Sequence, residues 1–162
     1  MMAYENNNWK TAVVLNTEFP LPLMMNALGH CTLGLAAKSD IRDWRMLDYP
    51  IPSFETHSLI SEFPVIVLRA KKSAQLEKLI SEASAVGVVC NVFIETMFGR
   101  SAAQKQEATR NSLRGRDRIV CVAAFAEDAT LRPLIKSLSI YKSSDAIGAS
   151  EVIAAATGPS ID

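Results

Sequence analysis

The sequence predicts one α/β domain in which short apolar strands alternate with helices, around a mostly parallel, mixed sheet of about four strands. Three observations carry this. A chain of 162 residues suits one domain and buries a substantial core without staples. Four apolar runs, Thr11–Asn16, Phe63–Ala70, Val88–Thr96 and Arg118–Ala126, have strand length and strand composition. Helical periodicity separates the first three, and the order strand, helix, strand, helix, strand favours parallel strands joined by helical crossovers.

Thr11–Asn16 (TAVVLN) reads as a buried strand. Pro20 and Pro22 punctuate a turn, and Leu23–Ala37 reads as a helix. Its Met24, Leu28, Cys31 and Leu35 recur at spacings of four, three and four, along one face. Gly29 and Gly34 each cost such a helix about 1 kcal/mol relative to alanine. Two of them suggest a close approach by another backbone or a ligand, with packing of the helix on the sheet as the ordinary explanation.

Ser39–Glu62 is the least regular stretch, broken by Pro50 and Pro52, with a short hairpin expected around Trp44–Leu47. A connection of that length is functional or a surface excursion. After the second strand, Ser73 offers an N-cap, and Leu76, Leu79, Ile80 and Ala83 form an apolar stripe ending at Gly87. Ser101 with Gln104 makes a capping box for a polar helix running to about Leu113 and stopped by Gly115. Asp128 or Thr130 caps a last helix through Leu138, and Pro133 falls in its first turn if Thr130 is the cap. Residues 1–142 thus form the domain. Residues 143–162 form a tail of small residues, with one weak helix or none near Ala149–Ala156.

The 17 basic and 17 acidic residues cancel, which removes any global attraction for nucleic acid and leaves only a local patch to consider. The longest apolar runs are too short to span a bilayer, and MMAYENNNWK lacks the pattern of a signal peptide. A cytoplasmic protein is expected, with no membrane association. Cys31, Cys90 and Cys121 are too few and scattered for a disulfide framework or zinc site. Each lies in an apolar segment and reads as a small buried hydrophobe in a reducing compartment. No metal or cofactor is expected.

The segment VVLNTEFPLPLMMNALGHCTLGLAA, the helix and strand KKSAQLEKLISEASAVGVVCNVFIET, and VCVAAFAEDATLRPLIKSL resemble the peptidyl-tRNA hydrolase II superfamily. In those hydrolases the first helix opens with a pattern Lys-x-Ala-x-Gln-x-x-His-Ala. Laid on this chain, the lysine becomes Asn26, the glutamine becomes His30 and the histidine becomes Leu33. The early Asn26, the run Glu95-Thr96-Met97-Phe98 and the longer insertion Gly99–Asp117 are more similar to an uncharacterised branch, domain-of-unknown-function family 2000. The resemblance implies a three-layer α/β/α sandwich around a mixed sheet, homodimerisation, and no established activity for the branch.

Ester cleavage of the kind those hydrolases perform needs an activated nucleophile and a donor for the developing oxyanion. Asn26 donates hydrogen bonds but carries no charge. His30 lies one turn further on, and Glu95 stands at the carboxyl end of a predicted strand, where open α/β sheets bind ligands. The enzymatic reading makes His30 the base or electrophile, Glu95 its orienting group and Asn26 the carbonyl donor. The ordinary reading makes them a packed histidine, a loop cap and helix surface. Asn26 with Thr96, Met97 and Phe98 are the candidates for contact with a small ligand, although Met97 and Phe98 read more as a hydrophobic plug at the strand end, or part of a dimer contact, than as a cofactor box. Arg100, Lys105, Arg110 and Arg114, in a run with Arg116 and Arg118, are the candidates for phosphate contact. Such a run is more often a solvated face, and no aromatic residues interleave it to stack bases. A binding or regulatory module is preferred on this reading, with a hydrolase of peptidyl-tRNA or a related acyl ester as the alternative.

Overall fold

The computed structural model describes residues 8–99 and 101–142. Arg100 and the expected tail at 143–162 lie outside the described residues. The first strand, β1 (Trp9–Asn16), is buried on both sides from Thr11 to Asn16, which explains its continuous apolar run. Pro22 then sits in the first turn of α1 (Leu21–Lys38), where its fixed backbone angle suits a helix start. Buried on the helix are Met24, Ala27, Cys31 and Leu35. Ala27 lies deeper than the expected Leu28 because the small side chain lets α1 approach the sheet.

Asp40 opens a single 3-10 turn (Ile41–Trp44) by accepting the Arg42 N–H at 3.0 Å. Trp44 drops into the core and stacks on Phe125 at 4.8 Å. The chain then forms β2 (Met46–Ile51) and β3 (Thr56–Ser61), an antiparallel ribbon that, among the described residues, pairs only with itself. This hairpin is longer than the one expected around Trp44–Leu47, and Pro50 is accommodated within it. A two-stranded ribbon is all edge, and proline is tolerated there.

Next come β4 (Val65–Ala70), α2 (Ser73–Ala85) and β5 (Val89–Ile94). The start of α2 is held by Gln75, whose Oε1 accepts the Lys71 and Lys72 N–H groups at 2.7 and 3.3 Å. Ser73, the expected cap, is used elsewhere. The rest of the chain forms α3 (Ala102–Arg110), β6 (Ile119–Glu127), α4 (Asp128–Ile135) and β7 (Ser139–Ile140). The Ser101–Gln104 capping box opens α3 as expected. The Ser73 hydroxyl accepts the Ile119 N–H at 2.7 Å, tying α2 to the start of β6. Neither Asp128 nor Thr130 caps α4. Asp128 instead binds Lys10 at 2.6 Å and also Arg132. Pro133 falls past the first turn, and the helix ends at Ile135 rather than Leu138.

The five-stranded sheet has the order β5-β6-β1-β4-β7. Among the described residues only β1 and β4 pair in parallel in this sheet, whereas β1–β6, β5–β6 and β4–β7 are antiparallel. The sheet is therefore mixed and mostly antiparallel, which corrects the mostly parallel sheet of about four strands. The strands β1, β4 and β5 do run in the same direction, as their order suggested. What the sequence hides is β6, inserted between β1 and β5 in the opposite direction. A parallel return needs a crossover along the sheet. The nine-residue α3 makes none, because it stays at the sheet end where β5 exits, with the Thr96 and Thr109 hydroxyls 2.9 Å apart.

Apolar side chains fill both sides of the sheet. Val13 and Leu15 of β1 join α1 in one cluster, and Ala12 and Val14 join α2 and α4 in the other. Gly34 marks the close packing of α1 on β5, since a Cβ there would meet Asn91 Nδ2 at 2.2 Å. A Cβ at Gly29 would meet nothing within 4 Å. Cys31 and Cys121 are buried core residues as expected, whereas Cys90 is only partly buried on the α2 side of the sheet, where desolvation pushes its thiol up to about 11. Among the described residues, no helix is long and apolar enough to cross a membrane.

Candidate functional site

The carboxyl ends of β1 and β5 meet the start of β6, where Asn16, Glu95 and Arg118 come together. Asn16, the last residue of β1, is fully buried. Its Nδ2 donates to the Ile119 carbonyl at 2.8 Å and to Glu18 Oε2 at 3.3 Å, while its Oδ1 accepts the Glu18 N–H at 3.1 Å. Both ends of the amide are occupied. Opposite it, the β5–β6 ladder shifts register between Phe93 and Ile94. Such a bulge re-aims the flanking residues, and here Glu95 faces Arg118. The Glu95 Oε1 accepts the Arg118 backbone N–H at 2.8 Å, and its Oε2 accepts Nε and Nη2 at 3.1 and 3.0 Å. The guanidinium also lies 4.4 Å above the Phe19 ring. Phe19, Phe98 and Phe93 continue as an aromatic row at 6.4 and 5.0 Å, and His30 stacks on Phe93 at 5.9 Å.

His30 and Glu95 thus reach the same row from opposite ends. No hydrogen bond joins them among the described residues: Glu95 is taken by Arg118, and His30 is exposed with its ring against Phe93. Asn26 is exposed one turn before His30 on α1. Thr96 spends its hydroxyl on Thr109. Met97 and Phe98 are half-buried against the cluster beneath α1, in the position of a plug. On α3, Lys105 is half-buried and Arg110 exposed. The later arginines are matched with carboxylates: Arg114 with Glu77, Arg116 with Asp117 and Arg118 with Glu95. A run that is basic in sequence is therefore largely neutralised in space. Among the described residues, no group of three or more histidine, cysteine or carboxylate side chains could hold a metal ion.

On the other side of the sheet, directly behind Glu95 and Arg118, lies a cavity of about 350 Å³. Its apolar walls are Ile80, Val92, Ile94, Leu113 and Ile119, and Ser81, Arg114 and Asp117 stand among its polar groups. Arg114 leans from the 111–117 segment onto α2, with Nε 3.2 Å from Glu77 Oε2 and Nη2 2.8 Å from the Ser81 hydroxyl. The Asp117 carboxylate accepts the Leu113 N–H at 2.6 Å, closing a turn in which Gly115 has φ +79°. That N–H, then Arg116, holds the Asp117 carboxyl below the usual range. Of the described residues singled out in the sequence for contact with a partner, only Arg114 lines this cavity. The others come from α2, β5, β6 and a turn, and Ile80 alone carried a periodic signal, which reads as core.

Fold and site together define a class: a mixed α/β domain with an open, mostly apolar cleft at one sheet end and a nearby carboxylate locked to an arginine. Residues 9–142 match the family model described as protein of unknown function (DUF2000), and the chain belongs to that family. A solved structure of a protein of unknown function from Agrobacterium tumefaciens strain C58 is similar, with a TM-score of 0.70 at 18% identity. The match covers 85% of this chain and 100% of that one, and it shows a shared fold. No curated protein matches the chain.

Proposed function

We propose that this domain is a binding module for a small amphiphile with a short apolar body and a carboxylate, seated in the cavity between α2, β5 and the 111–117 turn. The cleft itself carries the reading: five aliphatic side chains line an open cleft of about 350 Å³, within the range of small-molecule sites, which are mostly apolar with a few placed polar groups. Arg114 and Ser81 supply those groups. A ligand carboxylate would compete with Glu77 for the Arg114 guanidinium, and Glu77 would have to turn out to solvent to make room for it.

Helices on both sides of the sheet support reading the scaffold as a three-layer α/β/α sandwich of the peptidyl-tRNA hydrolase II kind. Three cysteines outside any disulfide support a cytoplasmic setting. Hydrolysis of peptidyl-tRNA or a related ester through His30 and Glu95 is the competing reading. A general base must reach the proton it abstracts and be oriented by its partner. Glu95 is instead committed to Arg118, which weighs towards binding.

Titration with octanoate, followed by backbone amide NMR, tests the proposal. Saturable shifts centred on Ile80, Val92, Ile94 and Ile119 are expected, and Ile80→Trp, which fills the cavity, should abolish them without unfolding the domain. Absence of saturable shifts at these residues, or their persistence in Ile80→Trp, rejects the site.

A further inference from the structure

At the opposite end of the sheet, where β1 and β5 begin and β6 ends, lies a second open cleft, of about 380 Å³. It shares no lining residue with the cleft at Ile80 and Arg114. Its floor is aromatic. Phe125 of β6 packs against two tryptophans, with the Trp9 ring centroid at 5.1 Å and that of Trp44 at 4.8 Å, and Trp9 and Phe125 line the cleft. Val86 and Val89, both exposed, add an aliphatic wall. A carboxylate stands by each tryptophan: Asp43 precedes Trp44 in the chain, and Glu127 faces Trp9 across the β1–β6 ladder.

The charges of this cleft run against the stability of the chain. Both α1 and α2 bring their carboxyl ends to it, through Lys38 and Ser39 and through Val86 and Gly87. A helix carboxyl end carries partial negative charge and favours cations over carboxylates. Yet Asp40, Asp43 and Glu127 line the cleft. The nearby cations are committed elsewhere. Lys38 Nζ donates to the Cys90 carbonyl at 3.1 Å. Arg42, whose charge also reaches Asp43, is held on Asp40 through Nε at 3.0 and 3.1 Å. Lys10 and Arg132 share Asp128 at the amino end of α4. Asp43 and Glu127 are exposed and make no ion pair or side-chain hydrogen bond among the described residues.

We propose that this cleft binds an alkyl diamine, with one ammonium at Asp43, the other at Glu127 and the methylene chain laid over Trp9 and Phe125. Each part of that ligand answers one feature of the cleft. Among the described residues no three carboxylates are close enough to hold one metal ion, so the site asks for positive charge delivered at separate points. A diamine delivers it so, and its N–H donors suit both the carboxylates and the carbonyls left over at the two helix ends. An ammonium beside an aromatic face gains a cation–π contact, and methylenes on Trp9, Phe125 and Val89 gain by leaving water. Unfavourable charge gathered without an intrachain partner is the kind of local inconsistency that proteins retain at functional sites. The site does not depend on the cleft at Arg114, whose cation selects for the opposite charge.

Titration of the full chain with 1,5-diaminopentane at about pH 7, where both amines are charged, followed by backbone amide NMR, tests the proposal. Saturable shifts centred on Trp9, Gly87, Val89 and Glu127 are expected. Asp43→Asn and Glu127→Gln change exposed side chains and should each weaken binding about two- to fivefold, as loss of one exposed charge pair does. Pentylamine, with a single ammonium, should bind the wild type more weakly by a similar factor, and 1,5-pentanediol should not shift these residues. Ile80→Trp, which fills the other cleft, should leave diamine binding unchanged. Absence of saturable shifts overturns the proposal, as do shifts that magnesium chloride reproduces at equal ionic strength or that persist undiminished in both carboxylate variants. Equal affinity for pentylamine or for the diol overturns the two-ended site.

Discussion

The helices α1 and α2 cover opposite sides of one sheet, yet their outward sides are built differently. On α2, Lys78 and Glu82 face outward, 3.7 Å apart at a spacing of four, and half-buried Glu77 at the flank is paired to Arg114. On α1 the corresponding surface holds Met25, Asn26, Gly29, His30 and Leu33. Burial against the sheet explains the inner side of each helix. It explains the outer side of α2, where charge meets water, and leaves the outer side of α1 unexplained. An uncharged exposed helix side is thus the more informative of the two.

The largest effects should fall on the shared, inner sides. Leu35→Ala on α1 and Leu76→Ala on α2 remove fully buried side chains, and each should cost about 2–5 kcal/mol in chemical denaturation. A Leu33→Ala cost of that size in the isolated monomer would erase the distinction between the two sides of α1. The paired glycines give a finer division. Gly34→Ala drives a Cβ into Asn91 and should destabilise by about 1–3 kcal/mol. Gly29→Ala enters open space and should stabilise the monomer by up to about 1 kcal/mol. Thermal melts at submicromolar concentration would read both.

The smallest effect is electrostatic and lies away from both helices. Lys10, then Arg132, holds the Asp128 carboxyl below its usual range. Its folded pKa is therefore below its unfolded value of about 3.9, so its contribution is present above that pH and is lost as pH falls through the folded pKa. Asp128→Asn should lower Tm at neutral pH, and the gap should close on acidification below about pH 4.

Much of this architecture was legible in the sequence. The four longer strands of the main sheet were marked by apolar runs, and the common direction of β1, β4 and β5 by the helices between them. The direction of β6 was not, because a nine-residue helix reads as a crossover until Thr96 and Thr109 are seen to pin it to the sheet end. The β2–β3 ribbon was masked by Pro50 and Pro52, which an unshared ribbon tolerates and an interior strand would not. Sequence reasoning brought Asn26, His30 and Glu95 to attention through helix spacing and strand ends. It could not show that Glu95 is claimed by Arg118, a residue 23 positions away, or that a cavity opens behind them from four separate segments.

The central claim is that this scaffold binds and does not hydrolyse, and incubation of the purified wild-type protein with peptidyl-tRNA tests it most directly. Release of free tRNA at the rate of the buffer blank is the expected result. Turnover above that blank, lost in His30→Ala or Glu95→Ala, would contradict the account.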